Sequence, residues 1–152
     1  MSVKAARKKS FGYRFAMIQR IELTLVRDGL ARVGVTKAQL PFLMELFHEG
    51  RPMTQQELSQ RLIIDPGATA RNLDHLEKNG WIHREVNPEN RRQKLVSPTT
   101  KALDHEARLV DILTRASEAL AADLSESEKS EALAILDRII ETAMAAGKKK
   151  DA

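Results

Sequence analysis

The chain has 152 residues, 42% hydrophobic and 30% charged, proportions of one globular domain with a sizeable core and not of a disordered chain. No apolar run approaches the roughly 18 residues of a spanning helix and no apolar signal core opens the sequence, so a cytoplasmic protein without a membrane partner is expected. Cysteine is absent, which excludes disulfides, thiolate metal ligands and cysteine nucleophiles.

The net charge of +4 is unevenly placed. Residues 1–10 carry four basic and no acidic side chains, and residues 147–152 carry three basic and one acidic. Between them, 18 basic residues face 20 acidic ones. Residues 51–101 hold nine basic and six acidic residues, whereas 102–146 hold four and ten. A mildly basic middle is therefore followed by an acidic C-terminal third.

The first ten residues, polar, basic and without periodicity, read as a mobile arm. From Phe11 to Ala31 the apolar residues Phe11, Phe15, Ile18, Ile21 and Leu25 recur at steps of three and four, which predicts an amphipathic helix frayed by Gly29 and Gly34. Three later helices open on a hydroxyl placed three residues before Glu or Gln: Thr36 and Gln39, Thr54 and Glu57, Ser125 and Glu128. In that spacing each side chain can satisfy a free backbone N–H of the other residue. The helices are expected over 37–48, 55–62 and 126–145. Asp65-Pro66 starts a fourth with an acidic N-cap and proline at the first helical position; it runs to Asn79, where Gly80 ends it. Trp81 to Val86 and Gln93 to Ser97 read as a hairpin around the turn Asn87-Pro88-Glu89-Asn90. Pro98 breaks the second strand, and a long helix follows over 100–122.

The expected fold is mainly α with a small β-hairpin: two short helices joined by Ile63 and Ile64, then a hairpin, in the order of a helix-turn-helix with a wing. On the helix after Pro66, Thr69, Leu73 and Leu76 share a face that belongs in the core. Ala68, Arg71, Asn72 and His75 lie opposite, with Gly67 near the tip. Small residues permit close approach to a major groove, Arg can pair with guanine, and Asn with adenine. Arg91, Arg92 and Lys94 put three cations on the hairpin, where they can reach a minor groove or a phosphate backbone. By itself the polar helix face could equally be solvated surface; the adjacent basic hairpin favours nucleic acid.

The stretch Ile64-Asp65-Pro66-Gly67-Ala68-Thr69-Ala70-Arg71-Asn72-Leu73-Asp74-His75-Leu76-Glu77-Lys78-Asn79-Gly80-Trp81-Ile82, followed by Asn87 to Arg92 and Thr99-Thr100-Lys101-Ala102, resembles the MarR (multiple antibiotic resistance regulator) family of winged-helix transcription factors. The resemblance covers nearly the whole chain. It implies a homodimeric regulator, a ligand-responsive repressor of a pseudo-palindromic operator in double-stranded DNA. The family's base contacts would fall on Gly67, Ala68, Arg71 and Asn72 and its wing contacts on Arg91 and Arg92, to which the helix face and the hairpin themselves add His75 and Lys94. The implied organisation is a basic arm at 1–10, dimerisation helices at 11–35 and 100–146, a DNA-binding domain at 36–99 and a basic tail at 147–152. The amphipathic stripes outside 50–100 exceed what that core can cover, which also favours a second chain over an intramolecular bundle. A small anionic aromatic effector is implied too, with Tyr13, Arg14, Met17 and Phe47 as candidate pocket residues. The sequence departs from the family pattern at Asn90, where a wing acid would brace Arg92, and at Pro98 and Ala102.

No enzyme is expected. Ser-His-Asp context, a phosphate-cradling glycine loop and an acidic metal cluster are all missing. His48, His75, His83 and His105 are scattered over four elements without ligand spacing, so neither a metal site nor a cofactor is expected. The rival reading is a helical interaction module that uses the winged helix to dock protein.

Overall fold

A computed structural model describes residues 2–148, which fall into two compact units that divide after Ala116. From Lys149 onward the expected basic tail lies outside the described residues.

The first unit begins with α1 (Val3–Lys9) and α2 (Phe11–Val33). Residues 3–9, within the arm read from the sequence as mobile, form a capped helix. Ser2 accepts the Ala5 N–H, and Arg14 of α2 reaches back to donate to the carbonyls of Ser10 and Lys8, each at 2.9 Å. These are helix-end groups that periodicity does not reveal. Gly29 does not fray α2 either. The helix continues to Val33 and ends at Gly34, whose φ is +89°. A Cβ on Gly29 would stand 3.1 Å from Ile112, so this glycine permits close approach of the helix that carries Ile112.

Thr36 and Gln39 exchange the anticipated hydrogen bonds, but they close a turn, and α3 (Leu40–Glu49) starts beyond it with Pro41 in its first turn. β1 (Met53–Thr54) leads into α4 (Gln55–Leu62), where Thr54 and Glu57 form a complete capping box. Two arginines tie α3 to α4. Arg61 binds Glu45 at 2.6 Å and Glu49 at 2.5 Å, while Arg51 binds the other Glu49 oxygen at 3.5 Å and Glu57 at 2.9 Å.

Ile63 then turns the chain with φ 55° and ψ 43°. The turn is closed by the Ser59 hydroxyl donating to the Ile64 carbonyl at 2.6 Å, and by the Ile64 N–H donating to the Ser59 carbonyl at 3.1 Å. α5 (Pro66–Lys78) follows, N-capped by Asp65. Gly80, with φ +74°, releases the chain into the sheet.

The anticipated hairpin of β2 (Ile82–Val86) and β3 (Lys94–Pro98) is joined by β1 into a three-stranded antiparallel sheet of order β1-β3-β2. Met53 pairs with Val96, and Arg84 lies opposite Val96 on the other side. Pro98 does not break β3; it is the last strand residue, opposite Ile82. α6 (Thr100–Leu120) leaves the sheet. Its Lys101 ammonium sits 4.4 Å above the Trp81 ring and donates to the Asn79 carbonyl at 2.8 Å, holding the start of α6 against the end of α5.

One core runs through these elements: Val26 and Leu30 of α2, Phe42, Leu43 and Leu46 of α3, Met53, Leu58, Leu73, Leu76, Trp81, Val96, and Leu109 of α6. Truncating any of the buried leucines to alanine costs about 2–5 kcal/mol. α5 contributes Thr69, Leu73 and Leu76, the three residues assigned to its core face.

The second unit contains α7 (Glu126–Lys148), opened by the Ser125–Glu128 box, with bonds of 2.8 Å and 3.2 Å. Leu133, Ile135, Leu136, Ile140 and Met144 on α7 are exposed.

Candidate nucleic-acid interface

The interface is organised by α5. With Thr69, Leu73 and Leu76 fully buried, helical periodicity turns Arg71 and His75 outward, and both are exposed. Arg71 has neither an ion pair nor a hydrogen-bond partner among the described residues. The Asp65 carboxylate accepts the Ala68 N–H at 2.9 Å, so the helix tip is fixed. Gly67 is exposed and Ala68 half-buried beside it. Asn72 is placed differently from its companions: it is half-buried, and its amide donates to the Ala68 carbonyl at 2.9 Å. That bond leaves one amide N–H and the amide oxygen of Asn72 available.

The wing tip is a chain of short-range bonds. Asn87 and Gln93 close the loop at 3.0 Å, the Asn87 side chain accepts the Glu89 N–H, and the Asn90 side chain accepts the Arg92 backbone N–H at 3.2 Å. Asn90 therefore shapes the loop, and the Arg92 guanidinium has no partner among the described residues. Arg91, Arg92 and Lys94 are all exposed.

Between α4, α5 and the wing lies an open cavity of about 710 Å³, lined among others by Gln56, Gln60, Ala70, Arg84, Arg92 and Lys94. It brings wing cations and the recognition helix onto one concave surface. Gln56, Gln60 and Arg84 were not singled out from the sequence. Arg84 is the most consequential: it donates to Glu77 through its backbone N–H, Nε and Nη2, and through Nη2 also to Asp74. The guanidinium holds the Glu77 carboxyl below its ordinary value, against an opposing contribution from burial. The available signal was an arginine on a strand whose neighbouring helix carries acids at 74 and 77.

The four candidate effector residues make the following contacts. The Arg7 guanidinium lies 4.1 Å above the Tyr13 ring and donates to its hydroxyl. Arg14 is committed to the α1 carbonyls, Met17 faces Arg20, and Phe47 packs on the core. None of the four lines the cavity beside the wing or a second open cavity of about 540 Å³ between α2 and α6. Among the described residues, no group of three or more His, Asp or Glu side chains could hold a metal ion, and no helix is long and apolar enough to cross a membrane.

A helix-turn-helix, a three-stranded wing and an outward arginine on the second helix define a winged helix-turn-helix protein. Residues 35–94 match the MarR family. The chain is 33% identical over 84 residues to the multiple antibiotic resistance protein MarR of Escherichia coli K12, covering 55% of this chain and 58% of that one. It is 30% identical over 84 residues to the uncharacterized HTH-type transcriptional regulator YcgE of Bacillus subtilis 168, covering 55% and 54%. It thus spans somewhat over half the length of these curated relatives. Among solved structures, a MarR transcriptional regulator from Methanosarcina mazei Go1 superposes with a TM-score of 0.84 at 25% identity, covering 89% of this chain and 96% of that one. A mutant E. coli MarR complexed with operator DNA shares the fold, with a TM-score of 0.80 at 24% identity over 91% and 99% of the two chains. The chain is thus similar to the MarR family over residues 35–94, and its fold is that of solved MarR regulators.

Proposed function

We propose that the protein is a homodimeric, sequence-specific DNA-binding transcriptional regulator of the cytoplasm, acting as a ligand-responsive repressor at a pseudo-palindromic operator. The observation that carries this reading is the outward Arg71 of α5, without a partner among the described residues, beside a wing with exposed Arg91, Arg92 and Lys94. α5 enters the major groove, with Arg71 and His75 at base edges and Gly67 and Ala68 allowing close approach. Asn72 joins them through its remaining amide N–H and its amide oxygen. The wing cations grip the flanking minor groove or backbone. The E. coli MarR mutant with the same fold is complexed with operator DNA, which supports the same use of the surface here.

Dimerisation is supported by apolar side chains left in water: Phe11, Ile18, Ile21 and Leu25 on α2, Leu103 and Val110 on α6, and separately Leu133, Leu136 and Ile140 on α7. A two-fold dimer buries such faces and presents two recognition helices about one turn of DNA apart. The proposed domain division follows: 36–99 binds DNA, while 11–35 and 100–146 dimerise. The effector is a small anionic aromatic compound that favours a lobe spacing unsuited to the operator. If it engages Arg14, it has to displace the α1 carbonyls that Arg14 now holds. Catalysis, a metal and a membrane partner form no part of the proposal.

The test is selection of bound duplexes from a random pool, followed by titration of the selected duplex at several salt concentrations. A pseudo-palindromic consensus and a steep salt dependence are expected. No duplex binding at low salt overturns the reading in favour of a protein-docking module.

A further inference from the structure

The chain leaves α5 at Gly80, forms the wing, and returns at Thr99 to the place it left. Gly80 and Trp81 first close α5 by donating their N–H groups to the carbonyls of Glu77 and Leu76, at 3.0 and 2.9 Å. The carbonyls of Asn79, Gly80 and Trp81 then accept from across the base of the wing. Lys101 Nζ reaches Asn79 at 2.8 Å, the Thr99 hydroxyl reaches Gly80 at 2.7 Å, and the Thr99 N–H reaches Trp81 at 3.0 Å. The same hydroxyl accepts the Ala102 N–H at 3.3 Å and so caps α6. One half-buried threonine therefore joins two helix ends, its single hydroxyl proton directed to the end of α5 and a lone pair to the start of α6. Lys101 obeys the same logic. A cation in the first turn of α6 opposes the dipole of that helix but suits the C-terminal end of α5, where its ammonium lies.

We infer that Thr99, seconded by Lys101, is a positioning residue for DNA binding: it fixes the direction of α5 relative to α6, and thereby the separation of half-sites that the dimer accepts. The inference rests on the dimeric DNA-binding reading above and adds to it the joint that sets the spacing. Leu73 and Leu76 of α5 share the core with Ala102 and Leu109 of α6, but apolar packing is non-directional. The bonds at the junction supply direction. α6 also carries Leu103 and Val110, exposed apolar residues of the proposed dimer face. In a two-fold dimer, a turn of α5 on α6 occurs in both protomers and moves the two recognition helices relative to each other.

The full chain is titrated with the selected duplex, with the same duplex lengthened or shortened by one base pair between its half-sites, and with a single half-site. Thermal unfolding is followed for each variant. Thr99→Asp keeps a capping oxygen for the Ala102 N–H and has no proton for the Gly80 carbonyl. It is expected to lower the preference for the selected spacing over the altered ones about fivefold, the worth of one hydrogen bond, and to leave binding of the single half-site unchanged. Thr99→Ser, which retains the hydroxyl, is expected to keep the wild-type preference. Lys101→Met removes the Asn79 bond and leaves an apolar stem in place; it is expected to lower the preference in the same direction, and it decides the matter if Thr99→Asp does not fold. An unchanged spacing preference in both variants, or a loss of equal size on every duplex including the half-site, overturns the inference and leaves Thr99 a helix cap. Wild type that binds no duplex, or binds all spacings alike, overturns the dimeric DNA-binding reading and this inference with it, a result seen before any variant is compared.

Discussion

Arg84 of β2 holds Glu77 of α5 through three donors: its backbone N–H at 3.1 Å, Nε at 3.1 Å and Nη2 at 2.7 Å, with Nη2 also 2.6 Å from Asp74. The wing and the recognition helix are thereby fixed to each other by one largely buried guanidinium, its side chain 14% exposed. Arg84→Met is expected to lower stability by about 1 kcal/mol, below the full value of a charge-assisted bond because both carboxylates face water. It should also weaken duplex binding, since wing and helix lose their common reference. Thermal unfolding and duplex titration check the two effects separately.

Glu77 also gives the fold an acid dependence. Arg84 lowers its carboxyl pKa in the folded chain from the ordinary 4.5, so the bond contributes stability above pH 4.5 that is lost as pH falls toward the depressed value. Glu57, lowered by Arg51 and by the Thr54 N–H, acts in the same direction. Glu77→Gln is expected to flatten the fall of the unfolding midpoint below pH 4.5, and Glu57→Gln to flatten it further. An unchanged acid limb in both variants would refute the assignment.

Ile63 is a β-branched residue at φ 55° that is 73% exposed. Left-handed backbone costs an L-residue about 1–2 kcal/mol, and packing returns nothing here, while glycine adds an entropic cost of its own. Ile63→Gly is expected to raise stability by about 0.5–1 kcal/mol, read as a higher midpoint in urea with an unchanged slope.

Arg91 and Arg92 are exposed at the wing tip and free of carboxylates among the described residues. Replacing either by glutamine should weaken binding to selected and random duplexes alike and lower the slope of log affinity against log salt by about one, if it meets phosphate. If it enters the minor groove to read A·T pairs, the loss falls on the selected duplex.

The helix-turn-helix was legible because its signals are local. The Thr54–Glu57 box, Asp65-Pro66 and Gly80 each act within a few residues, and all three stand where the chain places them. What escaped depends on distant partners. β1 is two residues long and exists through Val96 and Leu95, more than forty residues on. Gly29 reads as a helix breaker until Ile112 is brought against it. α1 has no apolar stripe and is held by Arg14 from the next helix. At the interface, Arg71 and the wing cations were legible as outward charges. The Arg84 strut and the inward turn of the Asn72 amide were not, because each is decided by a partner that periodicity does not identify.

The ion pairs between α3 and α4 are unevenly redundant. Each oxygen of Glu49 serves a different arginine, and each arginine also holds a second glutamate, Glu45 for Arg61 and Glu57 for Arg51. Losing one arginine therefore leaves the other bridge intact, whereas neutralising Glu49 slackens both at once. Of these bridges only Arg61–Glu45 survives the loss of Glu49, so that pair is what then holds the first helix of the helix-turn-helix to α3.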